Sequence, residues 1–257
     1  MAQQSDVREV LQYIPQFRGK IFFVLIEAGL LPEPAVAETL LDLAVLEDLG
    51  VKLVLGVLGG DLKDLYDWTL ECEIMAARVS RPITDPLAVR EVLEILGRGQ
   101  SAVIDASATG PLDIPVVDFA KGIGVAKIIT LLEEAILIDG APAHAIRAAD
   151  AEALASRTDV AGAALLRAAA AACNRGVPRV HVLNGRQQGV LVDELFSGGQ
   201  DLLSVSGDTI KKVNEALSEE NLLHLTSTLA SIDTALAKIA QDDGIIDEAA
   251  KAMKNIN

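Results

Sequence analysis

The chain has 257 residues, 51% of them hydrophobic and 3% aromatic, and its formal net charge is −15. This composition excludes a disordered chain and predicts a large core of Leu, Ile, Val and Ala. The negative charge argues against nucleic-acid and anionic-membrane partners, because both are bound through clusters of Lys and Arg.

The N-terminal residues and the cysteines indicate a cytoplasmic protein. The first residues are polar, so we expect no signal peptide. The longest apolar run, Val51 to Leu58, is too short to span a membrane. Cys72 and Cys173 lie far apart in apolar helical segments, which is typical of buried thiols and gives no metal-ligand spacing. We therefore expect no membrane span, no disulfide and no metal site.

The first part of the chain alternates strands with helices. An amphipathic helix is predicted over 6–18, and a continuous apolar strand follows at Lys20–Ile26. A helix over 35–49 and a second strand at Val51–Leu55 come next, and another helix begins at Asp61. This order is typical of βαβ units, so the fold class is α/β, with a mainly parallel sheet sandwiched by helices.

The middle of the chain continues the same alternation. Asp85 is the predicted N-cap of a helix over 85–97, because Pro86 suits the first helical turn. Further strands are predicted at Ser101–Asp105, Ile114–Asp118 and Ala135–Asp139, and further helices over 124–134 and 149–156.

The clearest local pattern lies between Thr158 and Arg186. A run of alanines predicts a helix that ends at Gly176, and Pro178 prevents its continuation. Arg179–Leu183 then predicts a strand. A helix followed directly by a strand is half of an α/β crossover unit.

The last part of the chain predicts a helical C-terminal tail at 201–257, after an α/β domain at 1–200. Its apolar residues between Leu222 and Ile239 follow a heptad-like spacing of three and four. Two interpretations remain open. The apolar stripe packs on the core of the domain itself, or it forms a coiled-coil or partner-binding arm that assembles a homo-oligomer.

Two features of the sequence are candidate ligand sites. Gly59 and Gly60 lie between a predicted strand and a predicted helix, where main-chain N–H groups bind anions, although a purely structural turn is the alternative. Asp139 and Gly140 end a predicted strand, and ligands of open α/β sheets bind at the carboxyl ends of strands. A capping or turn role is the alternative for Asp139. The three histidines are scattered and form no catalytic triad or zinc spacing.

Four segments of the sequence have the pattern of a known family. The most specific one reads V-P-R-V-H-V-L-N-G-R, followed by G-V-L-V-D-E-L-F. The others read R-G-K-I-F-F-V-L-I-E-A-G, D-L-G-V-K-L-V-L-G-V-L-G-G-D-L and I-L-I-D-G-A-P-A-H-A-I-R. These segments resemble the amino-acid kinase family, specifically acetylglutamate kinase and the kinase-like domain of acetylglutamate synthase. The resemblance implies an amino-acid-kinase-like fold and a role in arginine biosynthesis.

The chain departs from this family where the family's catalytic groups lie. The catalytic lysine position holds Leu25, and the paired glycines fall at Glu27 and Ala28. Phosphoryl transfer depends on cations placed against the developing charge, so phosphotransfer is doubtful and no catalytic residue is assigned. ATP and magnesium are implied only if the resemblance extends to function.

The resemblance therefore implies binding of a small acidic metabolite or nucleotide. The candidate ligand-binding residues are Gly29, Gly59, Gly60, Asp139 and Gly140. The alternatives are a non-catalytic oligomeric scaffold and an artificial sequence that keeps the pattern of a fold without its active site. The segment after Leu203 also resembles the helical tail of mammalian-cell-entry type lipid-transport subunits, which makes a lipid-transport accessory the last alternative.

Overall fold

The structure is a computed structural model that describes residues 17–133, 136–139, 141–142, 146–157, 160–191 and 203–206. The predicted tail helices, the candidate Gly140 and nearly all of the predicted helix over 6–18 lie outside the described residues. The interpretations of the heptad pattern therefore stay predictions.

Eleven strands and six helices follow one another in the described part of the chain. The strands are β1 Ile21–Glu27, β2 Lys52–Leu58, β3 Ala76–Arg78, β4 Ser101–Asp105, β5 Lys127–Leu132, β6 Leu137–Ile138, β7 Ala141–Pro142, β8 Ile146–Arg147, β9 Val160–Ala161, β10 Arg179–Asn184 and β11 Leu203–Ser206. The helices are α1 Pro34–Asp48, α2 Leu62–Glu71, α3 Ala88–Gly97, α4 Ile114–Ile123, α5 Ala148–Ala155 and α6 Ala163–Asn174.

Eight of these strands form one sheet in the order β3-β4-β2-β1-β5-β10-β11-β8. The first six are parallel, β11 is antiparallel to β10, and β8 is parallel to β11. The three short strands β7, β6 and β9 form a second, antiparallel sheet. The predicted fold class, a mainly parallel sheet between helices, is confirmed.

The strand β1 lies in the middle of the parallel sheet because both of its faces are apolar. Phe22 to Ile26 are all fully buried. Phe23 and Leu25 belong to the core on one face of the sheet, and Phe22, Val24 and Ile26 belong to the core on the other. Alternate side chains of a strand point to opposite faces, so a continuous apolar run is what a strand covered on both sides requires.

Two elements in the middle of the chain were predicted as the wrong type, and the helix predicted to start at Asp85 begins at Ala88, with Leu87 as its N-cap. Ile114–Asp118, predicted as a strand, is the first part of α4, since Pro115 suits the first turn of a helix and Gly124 ends it at φ 72°. The predicted helix over 124–134 contains β5 instead. All six residues of β5 are buried, and burial of β-branched residues on both faces favours a strand there.

The ends of the sheet differ in detail from the sequence-based boundaries. Within the predicted strand Ala135–Asp139, only Leu137–Ile138 is a strand, and it lies in the small sheet. The predicted helix and strand between Thr158 and Arg186 are present as α6 and β10. Leu203–Ser206, which the sequence assigns to the tail, pairs with β10. The domain boundary after residue 200 itself stays a prediction.

The cysteines are buried in the structure. Cys72 and Cys173 both lie in the core, and burial raises the pKa of Cys173 to about 11. Such a thiol carries little thiolate near neutral pH and is a poor nucleophile. In the part of the chain that the structure describes, no helix is long and apolar enough to cross a membrane.

A histidine lies inside the parallel sheet. His181 is in β10 and is fully buried. The hydroxyl of Thr130 in β5 donates to the main-chain oxygen of His181 at 3.1 Å. Burial lowers the pKa of His181 well below its ordinary value of 6.5, and the nearby cations Lys127 and Arg179 lower it further. The folded protein therefore holds this imidazole neutral.

This neutral histidine makes stability depend on pH. The unfolded chain takes up a proton at His181 below about pH 6.5, and the folded protein does not, so the free energy of unfolding falls as the pH decreases from 7 towards 5. We expect His181→Gln to flatten this dependence. Urea titrations at several pH values measure the free energy of unfolding of both proteins. Equal pH dependences of the two free energies would contradict this prediction.

Candidate functional site

The carboxyl ends of the parallel strands meet at one edge of the sheet and surround a cavity of about 620 Å³. The loops that follow β1, β2, β4 and β5 supply most of its walls. Open α/β sheets bind ligands at this edge. We name it the glutamate cavity; it is lined by Glu27, Ala28, Gly29, Leu58, Gly59, Ser107, Thr109, Pro111, Leu132, Glu133 and Leu165.

The charges of the glutamate cavity are negative. Glu27 and Glu133 are the charged residues among the described residues of its lining, and none of these is Lys or Arg. The N–H of Glu133 donates to Oε2 of Glu27 at 2.8 Å, so the two loops are held together. Outside the lining, Arg186 pairs with Glu133 at 3.2 Å and with Glu33 at 2.7 Å. An unneutralised phosphate in this cavity would meet two carboxylates.

The hydroxyl groups of the glutamate cavity belong to the loop after β4. The N–H of Ser107 donates to Oδ1 of Asp105 at 2.8 Å, which turns the chain at the end of the strand. The hydroxyl of Thr109 donates to the main-chain oxygen of Ala106 at 2.9 Å. The proton of Thr109 is therefore used within the loop.

A second cavity, of about 660 Å³, borders the same glycine loop. We name it the arginine cavity, because two guanidinium groups lie in its wall. It is lined by Gly60, Asp61, Leu62, Arg78, Val79, Ser80, Arg81, Pro82 and Asp105.

The two arginines of this cavity differ in their contacts. Arg78 ends β3, and its guanidinium carbon lies 5.8 Å from the centre of the Tyr66 ring. It makes no ion pair with any residue in the described ranges. Arg81 pairs with Asp85 at 2.9 Å and with Glu91 at 3.8 Å, and its side chain is 43% exposed. Arg78 can therefore engage an anion without breaking an ion pair, whereas at Arg81 an anion competes with two half-buried carboxylates.

The start of α2 adds positive electrostatic potential to the arginine cavity. Asp61 is the N-cap of this helix and accepts from the N–H of Lys63 at 2.8 Å. The N-terminus of a helix carries partial positive charge, which favours anions. Asp61 and Asp105 oppose an anion, although each of them already accepts a main-chain N–H. The cavity therefore combines two guanidinium groups and a helix start with two engaged carboxylates.

The sequence-predicted site residues are distributed over different places. Gly29 and Gly59 line the glutamate cavity together, and Gly60 lines the arginine cavity. Asp139 lies in the lining of neither; its carboxylate accepts from Arg157 at 2.7 Å. Asp139 also has a left-handed backbone, with φ 54°. Within the described ranges, no group of three or more His, Cys, Asp or Glu residues is arranged to hold a metal ion.

Sequence reasoning missed the two arginines of the arginine cavity. The strand that carries Arg78 has three residues, which is too short to show a period of two. A signal was present, because R-V-S-R places two cations close together in a chain with a net charge of −15. Glu133 was missed as well, because the segment before it was predicted to be helical.

The two loops that separate these cavities approach each other closely. A methyl group added at Gly60 would lie 2.3 Å from Cβ of Ala28, so this position has no room for a side chain. Gly59 has nothing within 4 Å of such a methyl group, but its φ of 71° favours glycine. Steric contact therefore selects glycine at position 60, and backbone conformation selects it at position 59.

This contact predicts a compensating pair of substitutions. We expect Gly60→Ala to destabilise the fold by more than Gly59→Ala, whose left-handed backbone costs about 1 kcal/mol. Ala28→Gly removes the obstructing methyl group, so the double variant Ala28→Gly, Gly60→Ala should recover most of the loss. Urea unfolding midpoints of the four proteins measure this. Additive losses in the double variant would show that the two loops do not touch.

The structure is similar in fold to solved structures of a synthase and of two kinases. The N-acetylglutamate synthase from Neisseria gonorrhoeae, complexed with coenzyme A and N-acetyl-glutamate, gives a TM-score of 0.63 at 18% identity, over 80% of this chain and 64% of that chain. Giardia carbamate kinase gives a TM-score of 0.53 at 9% identity, over 73% of this chain and 99% of that chain. Uridylate kinase from Archaeoglobus fulgidus gives a TM-score of 0.50 at 13% identity, over 73% of this chain and 100% of that chain.

These similarities concern the fold. The chain spans less than two thirds of the length of the synthase. No protein-family model matches the sequence, and no curated protein matches it. The resemblance of the tail to lipid-transport subunits stays a prediction. The synthase, the carbamate kinase and the uridylate kinase share one fold, and the present chain has it: the fold of the amino-acid kinase family.

Proposed function

We propose that this chain binds a small acidic metabolite in the arginine cavity and does not transfer phosphate. The observation that carries the proposal is the pair of guanidinium groups, Arg78 and Arg81, in a cavity at the carboxyl edge of the sheet. A guanidinium group presents two parallel N–H donors that match a carboxylate. A chain with a net charge of −15 otherwise repels acidic ligands, so such a ligand needs a local group of cations.

The contacts of the two arginines favour this role. Arg78 has no ion pair to break among the described residues, and its guanidinium lies over the ring of Tyr66 at a distance that allows a cation–π interaction. The N–H and hydroxyl of Ser80 donate to Glu91 at 2.6 Å and 2.9 Å, which holds the loop between the two arginines against α3. A loop held in place loses less conformational entropy when a ligand binds.

The glutamate cavity argues against phosphotransfer. Phosphoryl transfer needs cations around the transferred group, and the charged side chains described there are Glu27 and Glu133. Leu25, at the family's lysine position, is fully buried in the core and is not part of this lining. A nucleotide, the second ligand class that the resemblance implies, would have to bring magnesium to offset these carboxylates. This charge distribution supports a binding protein over a kinase.

The identity of the metabolite is part of the proposal. One of the similar structures is complexed with N-acetyl-glutamate, so this dicarboxylate is the first ligand to test. Binding of it would support a role in arginine biosynthesis. A cytoplasmic location is a further part of the proposal. So is a homo-oligomer held by the tail, whose residues 207–257 lie outside the described part of the chain.

Titration calorimetry with N-acetyl-glutamate tests the ligand. We expect heat of binding for the natural chain and an affinity at least about tenfold lower for Arg78→Gln, because charge-assisted hydrogen bonds are lost. Arg175→Gln is the matched control, since Arg175 pairs with Asp118 and lines neither cavity. Absence of heat with the natural chain, or equal losses in the two variants, would overturn the proposal.

A coupled assay for ADP tests the absence of phosphotransfer. With magnesium–ATP and N-acetyl-glutamate, we expect no ADP above the enzyme-free rate. Leu25→Lys should not restore activity, because the new side chain would be placed in the core and not in the glutamate cavity. An active acetylglutamate kinase serves as the positive control. Turnover by the natural chain would show that phosphate is transferred despite Glu27 and Glu133.

A further inference from the structure

A groove with four arginines runs along one face of α3. Its volume is about 560 Å³. Arg90 lies in α3, and Arg98 directly follows it. Arg78 ends β3, and Arg81 lies in the loop after that strand. We name it the α3 groove. It shares Arg78 and Arg81 with the arginine cavity, and Arg90 and Arg98 belong to the groove alone.

The charge of the α3 groove is opposite to that of the chain. The lining contains four guanidinium groups and two carboxylates, those of Glu91 and Glu94, in a chain with 22 Lys and Arg against 37 Asp and Glu. Guanidinium groups that lie close together repel one another. Carboxylates in contact with them would neutralise their charge. A cationic groove on an acidic protein therefore indicates a site for an anion.

Most of these cations are available to a ligand. The guanidinium of Arg98 makes no hydrogen bond or ion pair with any residue that the structure describes. Arg90 pairs with Glu94 at 2.9 Å, and these side chains are 82% and 57% exposed, so the pair is readily exchanged. Glu91 is engaged by Ser80 and does not compete strongly for Arg90 or Arg98.

The spacing of the arginines indicates the kind of anion. Arg90 and Arg98 are eight residues apart, which is about 12 Å along a helix. One phosphate group does not bridge this separation as well as a ligand with two or more phosphate groups. Leu87, which is 54% exposed, and Ile95 add an apolar wall beside the charges. A nucleic acid does not fit, because the rest of the chain is strongly acidic.

We propose that the α3 groove binds a small molecule with two or more phosphate groups through Arg90 and Arg98, the two arginines that it does not share with the arginine cavity. Guanidinium groups bind phosphate oxygens in pairs, and Arg98 and Arg90 are the groups that would do so. The site is distinct from a phosphate-transfer centre, because its lining shares no residue with that of the glutamate cavity.

Titration calorimetry of the full chain with inorganic pyrophosphate tests this site. We expect binding that weakens as the salt concentration rises, and an affinity about tenfold or more lower for Arg98→Gln. Arg98→Gln should fold normally, since its side chain has no partner among the described residues. Arg147→Gln, which removes an exposed arginine paired with Asp150, is the matched control. Tighter binding of ADP than of pyrophosphate would support an organic phosphate held against Leu87.

The outcome is separable from that of the proposed function. Arg98 does not line the arginine cavity, so Arg98→Gln should leave the affinity for N-acetyl-glutamate unchanged. Absence of heat with millimolar pyrophosphate, or equal affinities of the natural chain and Arg98→Gln, overturns the α3 groove as a phosphate site. Either result leaves the test of the arginine cavity unaffected, because that test depends on Arg78.

Discussion

The burial of β1 on both faces is the constraint on which the rest of the structure depends. This strand pairs with β2 along seven residues and with β5 along five, so it holds both halves of the parallel sheet together. Its five fully buried residues leave no position in the middle of the strand for a charge. Everything that follows β1, including Glu27, Ala28 and Gly29, is therefore placed at the carboxyl edge by apolar packing and not by a ligand.

The two cavities at this edge differ in their charged side chains on the two sides of one glycine loop. Glu27 and Glu133 lie in one, and Arg78 and Arg81 lie together with Asp61 and Asp105 in the other. A phosphotransferase needs positive charge where phosphate is transferred, and the guanidinium groups at this edge lie in the arginine cavity and not in the glutamate cavity. This distribution is the basis of the proposed binding of an acidic metabolite. The α3 groove shares Arg78 and Arg81 with the arginine cavity and adds Arg90 and Arg98.

The fold was predictable from long apolar runs, and the site was not. Lys20–Ile26 and the alanine-rich helix before Arg179 have unmistakable patterns, because many residues act together there. The prediction went wrong between Ile114 and Glu134, where the cap signals Pro115 and Gly124 outweigh the composition of either segment. Arg78 and Arg81 act through a three-residue strand and one short loop. The local pattern R-V-S-R shows two cations close together, but their place at the edge of the sheet depends on tertiary packing.

The strand β11, which comes late in the chain, covers β10 in the sheet. Leu203–Ser206 pairs with β10 over four positions, from Arg179 to Val182, and β8 pairs with β11 in turn. A chain shortened at residue 200 would lose this strand and leave the main-chain donors and acceptors of β10 open to water and to other chains. Exposed strand edges of this kind promote aggregation. A truncated form meant to isolate the α/β sheet must therefore keep the chain through Ser206.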